Sequence, residues 1–279
     1  MMDVLKQLGL DGQRAVIVHH DDLGITHAQN AAHRDLPHFP TGSIIVPGGW
    51  AAEWAGEKTL DLGVHITLTS EWDAPRWRPL TTGPGLRDAH GYFWRTTEQV
   101  WEHIRTEEAE AEMRAQIEAA LTLGVDVTHI DTHMGTVLRP DLAECYHRLA
   151  LEFRVPAFLP TVAALEQFPF PAAFRDALKT LLAASPLSRF RVPEAYAGPP
   201  AGRQAWFVNA LRSLEPGLWH LIHHAALPTP EGQALPDWAT RHADFEALAA
   251  ADVQACFGTA VVLLTYRQVR DALRASGVL

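Results

Sequence analysis

Three stretches of the chain combine side chains that could bind a metal ion and move protons. The apolar run Ala15-Val16-Ile17-Val18 leads into His19-His20-Asp21-Asp22-Leu23-Gly24, so ionisable residues stand where a strand is expected to end. His65 interrupts the apolar run from Gly63 to Leu68, and Thr128-His129-Ile130-Asp131-Thr132-His133 again ends in side chains with lone pairs. One carboxylate and two imidazoles from separate strands could hold a divalent ion and leave positions open for water and substrate. A late stretch, Trp219-His220-Leu221-Ile222-His223-His224, offers a further imidazole. Taken singly, each has a plainer account: Asp22 as a helix cap, His65 as a satisfied core residue, His220 or His224 as exposed loop residues. Their recurrence at strand ends is what points to a site.

Such residues need a scaffold that brings strand ends together. Short runs rich in β-branched residues alternate with longer amphipathic stretches, the pattern of βα units on a mostly parallel sheet. Strands are expected at Ala15–His19, Ser43–Val46, Leu62–Leu68, Val127–Ile130, Ala157–Leu159, Leu218–Ile222 and Ala260–Leu264. Helices are expected near Thr26–Leu36, Thr97–Leu123, Pro140–Phe153, Pro171–Ala184, Ala201–Leu214, Asp237–Cys256 and Tyr266–Ala275. The expected fold is thus α/β, a distorted TIM-like (β/α) barrel of about seven strands, whose site would lie at the C-terminal strand ends. Residues 1–279 read as one catalytic domain, interrupted at about 70–96 by a loop carrying Trp72, Trp77, Tyr92, Phe93 and Trp94.

Composition narrows the function. With 47% hydrophobic residues the 279-residue chain is an ordinary globular protein, and its net charge of −10 without long like-charge blocks offers no footprint for nucleic acid. Cys145 and Cys256 lack the spacing of a zinc knuckle or redox pair and read as buried thiols. Met1–Arg14 has no apolar stretch suited to a signal peptide, and no segment reaches the ~20 apolar residues of a membrane span, so a cytoplasmic location is expected.

These motifs together resemble the YdjC-like carbohydrate deacetylases, which include enzymes acting on acetylated chitooligosaccharides and hopanoid-associated relatives. The family's Asp-Asp-Phe/Leu-Gly is matched by Asp21-Asp22-Leu23-Gly24 and its Gly-x-His-x-x-Leu-Thr by Gly63 to Thr69. Its Thr-His-x-Asp-Ser/Thr-His is matched by Thr128 to His133. The resemblance implies a distorted, polysaccharide-deacetylase-like barrel, with Asp22, His65 and His133 as metal ligands and Asp21 as catalytic base. It further implies a late histidine at His223 and a site arginine at Arg241. The chain departs from the pattern in having His20 before the aspartate pair, Met134-Gly135 after His133, and His223-His224 in place of the family's His-Pro.

The expectation is therefore an N-acetyl hydrolase of an amino sugar or short oligosaccharide that uses one divalent ion, zinc or magnesium. His223 would be the acid, with His224 beside it as the competing choice. Arg241 would hold Asp21 ionised, Asp131 would orient His133 or another imidazole, and Trp72 and Trp77 would stack on the sugar. A small carbohydrate is the expected partner, with no nucleic acid and no membrane; a homo-oligomer is left open. Two other readings stay open: a different mononuclear metallohydrolase of a small polar substrate, and a non-catalytic carbohydrate-binding protein.

Overall fold

A computed structural model describes residues 4–166 and 170–279; the first three residues, which begin the Met1–Arg14 stretch, lie outside the described residues. The sheet contains β1 (Arg14–Leu23), β2 (Thr41–Ile44), β3 (Asp61–Ile66), β4 (Ile130–Thr132), β5 (Gly217–His223) and β6 (Val262–Leu263). Every pairing is parallel, in the order β4-β3-β2-β1-β5, with β6 beside the start of β1. The central strand β1 is covered on both faces, which accounts for its unbroken apolar run. Val16 and Val18 join an apolar cluster with Phe207, Leu211 and Leu248 from the helices Arg203–Ser213 and Trp238–Ala249. Ala15 and Ile17 point the other way, into the larger core. His19 continues that inward face, so the barrel side turns from apolar to polar toward the strand's end.

The regular sheet is a parallel half-barrel of six strands among the described residues rather than seven. Among the described residues between β4 and β5, only isolated parallel bridges occur: Ile130 with Ala157, Pro160 with Phe190, and Arg191 with Trp219. Each rests on one pair of bonds, such as Ile130 N–H to Pro156 O at 3.0 Å with Phe158 N–H to Ile130 O at 2.8 Å, and Arg191 N–H to Leu218 O with His220 N–H to Arg191 O, both at 2.9 Å. The expected strand at Ala157–Leu159 thus supplies one bridge residue and no ladder. β4 starts three residues later than Val127, although Thr128 N–H still reaches Leu62 O at 2.9 Å. The expected helix Thr97–Leu123 is two, Thr97–His103 and Thr106–Thr122, because Ile104 and Arg105 are extended and Glu108 caps the second from its third position.

The aromatic segment after β3 is fastened inward. Trp77 and Phe93 are buried, the Trp77 indole donates to Thr69 O at 2.7 Å, and bridges join Thr69 to Trp94 and Arg87 to Phe93. Among the described residues no helix is long and apolar enough to cross a membrane.

Gly63 illustrates how strand composition makes room for the site. A Cβ there would lie 2.5 Å from His129 Nε2 and 2.6 Å from His129 O, so the missing side chain lets the His129 imidazole sit across β3. Gly63→Ala should therefore cost about 1–3 kcal/mol through overpacking. Equilibrium denaturation measures it, and an unchanged midpoint would contradict the close packing.

Candidate metal centre

The two aspartates of β1 enter one cavity because the strand is irregular there. The register against β2 slips between His20 and Leu23, and Asp22 takes a left-handed φ of 67°. Aspartate tolerates that conformation better than most residues, and the bulge turns a side chain that simple alternation would send outward. Asp21 and Asp22 both line a cavity of about 450 Å³, together with His65, His133, Glu71 and Arg241.

At its floor Asp22 Oδ1 is buried without a hydrogen-bond partner. It lies 3.4 Å from His65 Nε2 and 3.2 Å from His133 Nδ1, and those nitrogens are 3.3 Å apart. Donors bound at about 2.1 Å in tetrahedral or octahedral geometry stand roughly 3.0–3.4 Å from one another, so these three atoms fit one divalent ion. The outward nitrogen of each imidazole is tied to a carboxylate: His65 Nδ1–H donates to Asp131 Oδ2 at 2.8 Å and His133 Nε2–H to Glu71 Oε2 at 3.0 Å. Those bonds fix the tautomers that leave a lone pair on each inward nitrogen. Among the described residues three other His/Asp groups are close enough to share an ion. Each includes His19 or Asp131, which do not line the cavity.

The charges are strongly coupled. Burial raises the pKa of Asp22, but the Arg241 guanidinium, 2.8 Å from Oδ2, and the nearby His133 and His65 imidazoles outweigh it and hold the carboxyl well below its usual range. Burial opposes protonation of His133, yet the Glu71 charge and the Asp22 contact dominate and bring it to about 9. His65 is raised well above its ordinary value, burial being outweighed by Asp131 and Asp21. An ion taking this place must displace protons, so its binding weakens as pH falls.

Asp21 makes different contacts. Its Oδ1 lies 2.5 Å from His19 Nδ1, His19 Nε2 is 2.7 Å from His129 Nε2, and His129 Nδ1 is 2.9 Å from Thr128 Oγ1. Burial raises the Asp21 pKa, but His65 and the His19 bond reverse the effect and keep it ionised. His19 was not singled out from its neighbours in the sequence; its place on the inward face two residues before Asp21 was the available signal. Glu71 was missed because the segment after Thr69 drew notice only for its aromatics.

Several expected contacts are different. Arg241 pairs with Asp22 and Asp237, not Asp21, because the slip in β1 brings Asp22 toward the helix Trp238–Ala249. Asp131 does orient an imidazole as expected, and of the choices left open it is His65. Trp72 lines the cavity beneath the Arg241 guanidinium, 5.1 Å from its ring centre, whereas Trp77 is a core residue. His223 sits opposite His20 in the β1–β5 register, on the outer face, and their rings are 4.4 Å apart. It does not line the cavity; His224 does.

The outward histidines have a consequence for stability. Burial lowers His20 and His223 well below the ordinary value and His33 to about 4. Groups with depressed imidazole pKa values stabilise the fold above about 6.5 and lose that contribution as pH falls toward the folded-state value. His33 alone represents on the order of 3 kcal/mol. His65 and His133, both raised, act in the opposite direction when no ion is bound. Denaturant midpoints should fall steeply below about pH 6.5, less so in a His33→Gln variant; a flat profile would contradict the neutral buried cluster.

A parallel α/β sheet whose strand ends gather a carboxylate and two imidazoles in one cavity defines a protein with a metal-type site at the mouth of a half-barrel. The chain belongs to the YdjC-like protein family, whose model matches residues 15–258. A carbohydrate deacetylase of Thermus thermophilus is 50% identical over 272 residues, covering 98% of this chain and 100% of that one. Carbohydrate deacetylases of Brevibacillus brevis and Vibrio campbellii are each 31% identical, covering 52% and 50% of this chain and 59% and 57% of their own lengths. A solved Enterococcus faecalis structure, named for cellobiose-phosphate cleavage, superposes with a TM-score of 0.73 at 20% identity. It covers 92% of this chain and 99% of that one, and it shows likeness of fold.

Proposed function

We propose that this chain is a metal-dependent carbohydrate deacetylase that hydrolyses an N-acetyl amide of an amino sugar or short oligosaccharide. The observation that carries this is the cavity in which Asp22, His65 and His133 offer converging donors beside the ionised Asp21. The printed activity of the Thermus relative supports the substrate class. A divalent ion held by Asp22, His65 and His133 supplies Lewis-acid polarisation of the acyl carbonyl and of water, and two imidazoles favour zinc over magnesium.

The chain's own groups do the rest. Asp21, fixed by His19, accepts a proton from the water that attacks the acyl carbon. As the C–N bond breaks, an acid must protonate the departing nitrogen, and we assign that role to His224, which lines the cavity where His223 does not. Arg241 holds Asp22 in place, and its Nη1, buried without a protein partner, is free to donate to the substrate. Trp72 provides a flat wall for a sugar face. We read the chain as one catalytic domain and the isolated bridges between β4 and β5 as closing a distorted barrel around this site.

Acetate release from N-acetylated oligosaccharides, assayed with and without a chelator, tests the reading. Release that the chelator abolishes and added zinc restores is expected. No release from any N-acetylated sugar would refute it, and release indifferent to chelation would refute the metal's role. The acid is tested separately. His224→Ala should slow amide hydrolysis about 10²- to 10⁴-fold while sparing an activated acetyl ester, whose leaving group needs little protonation. His223→Ala should leave the ratio of the two rates unchanged, and the opposite pattern would return the role to His223.

A further inference from the structure

The interior of the half-barrel next to the metal site is polar, where barrel interiors are normally filled by branched apolar side chains. His19, His129, His220 and Tyr266 are buried there beside one another. The His129 ring stacks on Tyr266, with 3.9 Å between ring centres and 13° between planes, and the Tyr266 hydroxyl is 2.9 Å from His220 Nδ1. The absent side chain of Gly63 makes room for the His129 ring. His129 is thus held in one orientation, and it does not line the cavity.

Its two nitrogens complete a chain of hydrogen bonds that ends on the presumed base. Asp21 is held ionised, so His19 Nδ1–H donates to its Oδ1, 2.5 Å away. With one proton on each ring, His19 Nε2 then accepts from His129 Nε2–H at 2.7 Å. His129 Nδ1 in turn accepts from the Thr128 hydroxyl at 2.9 Å. Burial and the neighbouring imidazoles hold the His129 pKa well below its ordinary value, in keeping with a single proton on that ring. The Thr128 hydroxyl also stands 3.1 Å from Leu62 O, and donation there would run the chain the other way.

We propose that His129 is a positioning residue for the reaction: by donating to His19 Nε2 it fixes the tautomer in which His19 holds Asp21 Oδ1, and so leaves Oδ2 to take the proton of the attacking water. This role presupposes the hydrolase reading above. An imidazole tied at its far nitrogen presents a defined donor to the group in front of it. Without His129, His19 is free to carry its proton on Nε2 and to meet the Asp21 carboxylate with a lone pair, which pushes the carboxylate away rather than holding it.

Zinc-loaded His129→Leu should lose about 10- to 100-fold in kcat at unchanged KM and zinc content. His129→Gln, whose amide can still donate near the position of Nε2, should recover most of that loss. A merely structural role would neither separate these two variants nor confine the loss to kcat. In a His19→Asn background His129→Leu should cost nothing further, because its route to Asp21 is gone. Unchanged kcat in His129→Leu, a loss carried in KM, or losses that multiply in the double variant would overturn the proposal. Nitrogen-15 NMR of the wild-type histidines reads the chain without turnover and without any variant having to fold. His19 protonated at Nδ1 and His129 at Nε2 is expected, and a proton on His129 Nδ1 overturns the proposal. Wild-type protein that releases no acetate would refute the hydrolase reading instead, and the spectra would still decide the direction of the chain.

Discussion

Asp21→Asn is expected to lower deacetylation about 10²- to 10⁴-fold while the protein keeps its metal ion. Asparagine keeps the size and the carbonyl oxygen that faces His19 but cannot accept a proton at neutral pH. Asp21 is not one of the three mutually close donors, and its Oδ2 stands 4.0 Å from His65 Nε2, so the ion's contacts should survive. Metal content of the purified variant, measured beside acetate release, decides the matter. A metal-depleted Asp21→Asn would show that the two aspartates exchange roles. Full activity would remove Asp21 from the chemistry.

The second large effect is loss of the ion itself. His65→Ala deletes one of three donors and also strips Asp131 of the imidazole it holds at 2.8 Å. Asp22→Asn removes the negative donor and leaves the buried Arg241 guanidinium facing a neutral amide. Both variants should be purified without metal and without activity. Asp22→Asn should lose more stability, because the buried Arg241 then keeps only the more exposed Asp237 as its charged partner. Elemental analysis and thermal unfolding measure the two effects. Retention of metal by both variants would sink the assignment.

The strand-end residues of β1, β3 and β4 were legible because each interrupts an apolar run, and interruption of a buried strand is visible without coordinates. Which way a neighbouring pair points was not. His223 and His224 differ only in parity along β5, and parity depends on which residues of that strand face the core. Asp21 and Asp22 would be separated by the same parity, but the bulge in β1, which nothing in Asp-Asp-Leu-Gly announces, brings both inward. Long-range partners were equally hidden: Arg241 and Asp22 are 219 residues apart, and pairing Arg241 with Asp21 instead satisfies the same chemistry on paper. The helices were found to within a few residues where amphipathic period and capping agree. The half-barrel's missing strands were not, because Ala157 and Phe190 make single bridges that leave no period to read.

The placement of β1 at the centre of the sheet bears on how the molecule comes to exist. During synthesis this strand waits for its partner β5, which is made about 200 residues later, with register pairs such as Arg14 to Gly217. At ~5–20 residues per second, one hydrogen-bonding edge of this strand, with its apolar Ala15–Val18 run, stands open for roughly ten seconds or more. An open, flat, apolar edge is a template for another nascent chain. The histidines and aspartates that end β1 are the polar part of that edge, so the groups read here as catalytic machinery would also help to keep the unfinished chain from aggregating.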